Sequence, residues 1–72
     1  MTDPTIQRAT CAAVLDVLAR TPSSPERSAL WERAKGHAAP SLAEYPLPET
    51  PPSAVDAVLA WCARELDRVG VP

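Results

Sequence analysis

Between Ser53 and Gly70 the apolar positions recur at the spacing of one helix face. At about 100° per residue, Val55, Val58, Leu59, Cys62, Leu66 and Val69 fall in a single narrow stripe, which predicts a helix over residues 54–69. Ser53 with Asp56 three residues on resembles a capping box, and the acidic first turn suits the helix dipole. Arg64 and Arg68 precede Gly70, which can close the helix in the left-handed conformation while Val71 folds back on the last turn.

The first helix is predicted over residues 4–20. Asp3 is placed to cap it, and Pro4 fits its first position, where a missing N–H costs nothing. Pro22 disfavours helical geometry at Thr21 and sets the stop. Ile6, Thr10, Cys11, Ala13, Val14, Leu15, Val17 and Leu18 sweep about 200° of its wheel, leaving Arg8, Ala12, Asp16, Ala19 and Arg20 for the remainder. A surface helix needs only about 100° of apolar arc, so this helix is expected at the centre of the packing.

A second helix, residues 24–38, opens on the Ser-x-x-Glu pattern of Ser23 and Glu26. Its apolar face is poorer: Leu30, Trp31, Ala34 and Ala38, with Arg27 on the same side. Gly36 weakens it, and Pro40 fits the first position of a short separate helical turn over 40–45, from which Leu42 and Tyr45 could reach the core. Residues 46–52, PLPETPP, favour an extended polyproline connector. With no strand pattern, repeat or glycine-rich loop, the chain reads as one small all-α domain over 1–72. It would be a three-helix bundle with a possible short fourth helix and a proline-rich crossover before the last.

Composition sharpens this picture. A chain of 72 residues forms one domain at most, and one this short buries only about 60% of its unfolded surface. Nine prolines, no phenylalanine and an excess of alanine leave a thin core, which makes a homodimer or an obligate protein partner attractive. The preference for Arg over Lys and for Ala matches a GC-rich bacterial genome. The net charge of −2 is spread in both signs, without the basic face expected of a nucleic-acid or membrane-surface binder. No segment approaches the ~20 apolar residues that span a bilayer. The acidic start Met1-Thr2-Asp3-Pro4 does not resemble a secretory signal, so a cytoplasmic location is expected.

The candidate chemistry is sparse. Cys11 and Cys62 lie on the two buried stripes and read as small reduced core residues. A disulfide is the alternative if the helices are antiparallel neighbours. A metal site built from both cysteines and His37 would lack a fourth ligand and any Cys-x-x-Cys spacing. His37 could act as a general base only with a positioned partner, and Cys11 as a nucleophile only if exposed. Ser23, Ser24 and Ser53 are explained as caps; Glu26, Glu32, Asp56, Glu65 and Asp67 read as helix-start and solvent-face charges. No enzymatic activity, cofactor, metal or small-molecule ligand is expected.

The tryptophans carry the most information. Trp61 lies about 110° from the centre of its helix's stripe, among Ala57, Arg64, Glu65 and Arg68. Either the proline-rich segment covers it, or Arg64 three residues on stacks over its ring, or it anchors a protein interface, where Trp and Arg are enriched. Trp31 with Arg27 four residues earlier is a second candidate anchor, balanced against use in the core. The interface set is therefore Trp61, Arg64, Arg68, Trp31 and Arg27. PLPETPP as a ligand for an aromatic groove is weaker than its role as a connector. The expected function is a non-enzymatic protein–protein interaction or accessory role, with self-association. The alternative is a small DNA-associated regulator reading through Arg27, Arg33 and Lys35, although these point to different faces. An enzyme using Cys/His chemistry ranks third.

Overall fold

The computed structural model describes residues 3–38 and 54–72, which form α1 (Pro4–Ala19), α2 (Pro25–Lys35) and α3 (Val55–Arg68). The described residues make an all-α three-helix bundle. Hydrogen bonds at the helix ends set its topology. Gln7, early in α1, donates from Nε2 to the Val69 carbonyl just past α3 at 3.4 Å. Arg27, in the first turn of α2, donates from Nε to the Leu18 carbonyl near the end of α1 at 2.7 Å. Arg33, near the end of α2, reaches Val71 beyond α3. Both α2 and α3 therefore run antiparallel to α1 and parallel to each other. The expected turn at 40–45, the connector at 46–52 and the cap Ser53 lie outside the described residues.

Each helix end follows from its local sequence. Asp3 is extended and accepts from the Thr5 N–H at 2.7 Å, with Pro4 at the first helical position, as the sequence predicts. The stop also falls as expected. The Leu18 carbonyl receives the Thr21 N–H at 3.0 Å as well as Arg27, while Val17 receives the Arg20 N–H at 3.1 Å and the Thr21 hydroxyl at 2.8 Å. Acceptors that a helix end leaves open are thus filled.

The start of α2 corrects the sequence reading by one residue. Ser24, not Ser23, is the cap, accepting from the Arg27 N–H at 3.1 Å. Pro25 at the first helical position fixes this register, which moves Glu26 out of the capping-box position. The same helix ends at Lys35, short of the expected 38; Gly36 caps it and the His37 N–H turns back to the Ala34 carbonyl at 3.0 Å. Glycine's cost inside a helix accounts for the early stop. The start of α3 also falls one residue later than expected: Ala54, not Ser53, occupies the cap position, without a side-chain hydrogen bond, and the helix runs Val55–Arg68.

The far end of α3 forms a complete Schellman motif. Gly70 has φ of 78°, Val71 donates to the Leu66 carbonyl at 2.9 Å, and Gly70 donates to Asp67 at 3.1 Å. This turn puts Val71 into the core beside Val69.

The core joins Cys11, Val14, Val17 and Leu18 of α1, Ala34 of α2, and Val58, Cys62, Leu66, Val69 and Val71 of α3 and its cap. Helix α1 supplies the broadest buried face and contacts both neighbours, the central position its wide arc predicts. Two of its positions depart from expectation. Ile6, expected on the buried arc, is 48% exposed; its neighbour Gln7 is the residue that bonds the end of α3. Ala12, assigned to the outward arc, is buried. Val55, Leu59 and Leu15 are half-buried at the margins. No helix among the described residues is long and apolar enough to cross a membrane.

Candidate functional site

The five candidate interface residues divide between two helices. Trp61 is half-buried, with part of its indole packed against the core and part facing outward. Beside it on α3, Arg64 is exposed. Arg68 is held by Glu65, with Nη2 2.7 Å and Nε 3.2 Å from Oε2. That pair is one helical turn apart and half in water on the Arg68 side, a geometry that contributes only a few tenths of a kcal/mol. Trp61 therefore sits beside one exposed guanidinium and one that is paired within its own helix.

Trp31 and Arg27 form a separate arrangement on α2. The Arg27 guanidinium carbon lies 5.3 Å from the centroid of the Trp31 ring, within cation–π range. Its Nε is committed to the Leu18 carbonyl at the same time. Trp31 itself is half-buried against the core. Arg27 thus fastens α2 to α1 through its head group and holds its charge over the Trp31 ring. Among the described residues the stacked cation is this one, and not Arg64 over Trp61.

Arg33 is the residue whose part sequence reasoning missed. Its Nε and Nη2 donate to the Val71 carbonyl at 3.0 and 2.6 Å, and Nη2 also pairs with the Asp67 carboxylate. The partners lie 38 and 34 residues away in the chain, and neither local spacing nor charge pattern announces them. Together with Lys35, whose Nζ lies 2.8 Å from Glu32, this accounts for every cation of the DNA-reading set. Arg27, Arg33 and Lys35 are each turned to an acceptor within the protein.

The thiols are free and fully buried on antiparallel helices. Burial raises the Cys11 pKa, opposed by the nearby positive charge of Arg33. Burial also pushes Cys62 up to about 11, with a backbone hydrogen bond opposing and Glu65 adding to the rise. Both are protonated near neutral pH, the form least suited to nucleophilic attack or metal ligation. His37 is half-buried in the turn after α2. Among the described residues no three His, Cys, Asp or Glu side chains gather as a metal site. Thr10 is fully buried, and its hydroxyl has no hydrogen-bond partner among the described residues.

These features define a small all-α bundle in which, among the described residues, both tryptophans are only partly buried at the edge of the core. No protein-family model, curated protein or solved structure matches the chain.

Proposed function

We propose that this protein is a small, non-enzymatic helical module that works by binding protein, in the first instance a second copy of itself. The observation that carries this reading is the distribution of side-chain size. Among the described residues the largest fully buried side chains are Leu18 and Leu66, while Trp31, Trp61, Leu15, Leu30 and Leu59 are only partly covered and Ile6 is exposed. A core of medium-sized groups with both tryptophans at its edge places the most apolar area where a second surface could bury it. Trp61 with Arg64 beside it has the composition of an interface anchor. Arg27 and Trp31 are already committed to each other and to α1, so α3 supplies the better binding face.

Light scattering over a concentration series tests this directly. Association that rises with concentration and is weakened at least tenfold by Trp61→Ala supports it. A monomer throughout the range, with the same behaviour in the variant, would remove self-association from the reading.

A further inference from the structure

We draw no further inference here: the strongest candidate, the outward stripe of α3 that carries Trp61, Arg64 and Arg68, is the surface already proposed for protein binding, and nothing in the structure shows what covers it.

Discussion

Thr10 and Cys62 show how single buried groups set the protein's response to mutation and pH. The Thr10 hydroxyl is fully buried without a partner among the described residues, and burial of an unpaired hydroxyl carries a desolvation penalty. Thr10→Val keeps the branched shape and removes that penalty. Urea denaturation is expected to show a gain of about 1 kcal/mol; a loss would mean that the hydroxyl does find a partner in solution. Cys62 acts through pH instead. Its folded pKa, about 11, lies above the ordinary value of 9.0, mainly through burial. The folded state therefore holds its proton more tightly than the unfolded chain. The stability from this group is complete below about pH 9 and is lost as pH rises toward 11. Burial raises the Cys11 thiol as well, so the informative quantity is the difference between wild type and Cys62→Ala, measured by denaturation at each pH. That difference is expected to shrink by roughly 1–3 kcal/mol across the window. A constant difference would show that the thiol is not desolvated.

At the scale of elements, helix ends were more legible in the sequence than contacts between helices. Asp3-Pro4 and Gly70-Val71 act within a few residues of themselves, and the structure places both as their sequences predict. The α2 start misled by one residue because Ser23 and Ser24 offer the same chemistry, and only the placement of Pro25 decides between them. The two glycines give a matched test. Beyond its chain neighbours, an added Cβ at either would meet no atom of the described residues within 4 Å, so substitution reads the backbone. Gly70→Ala must force alanine to φ of 78° and is expected to cost about 1–2 kcal/mol. Gly36→Ala, at φ of −72°, is expected to stabilise by roughly 0.4–1 kcal/mol. Equal effects in thermal melts would contradict the assigned turns. The Arg33 link was illegible because its partners meet it only after folding. Asp67 is 70% exposed at its side chain, so the ion pair itself contributes little. The charged donors on the Val71 carbonyl carry more, and Arg33→Met is expected to lose about 1.5–3 kcal/mol while Asp67→Asn loses under about 1 kcal/mol. Matching losses in urea melts would place the weight on the ion pair instead.

For the whole molecule, the size of one chain constrains how two would associate. Its radius of gyration is 11.2 Å, against about 11 Å for a compact domain of this length. A chain this compact fits a bundle folded by itself, so the proposed self-association would dock folded bundles rather than fold an intertwined pair. Dilution should then separate the copies without loss of helical circular dichroism. The tryptophans tell which face parts. Trp31 is covered on one side by Arg27 within its own chain, whereas Trp61 has an exposed guanidinium beside it and an indole only partly taken into the core. In a Trp31→Phe variant the remaining Trp61 emission is expected to shift red on dilution, as its outer face returns to water. In Trp61→Phe the Trp31 emission should stay where it is. A dilution shift in the second variant and none in the first would move the contact from α3 to α2. A helical signal that falls together with the fluorescence change would mean that each bundle needs its partner to fold, and the thin core would then be the reason for the dimer rather than its setting.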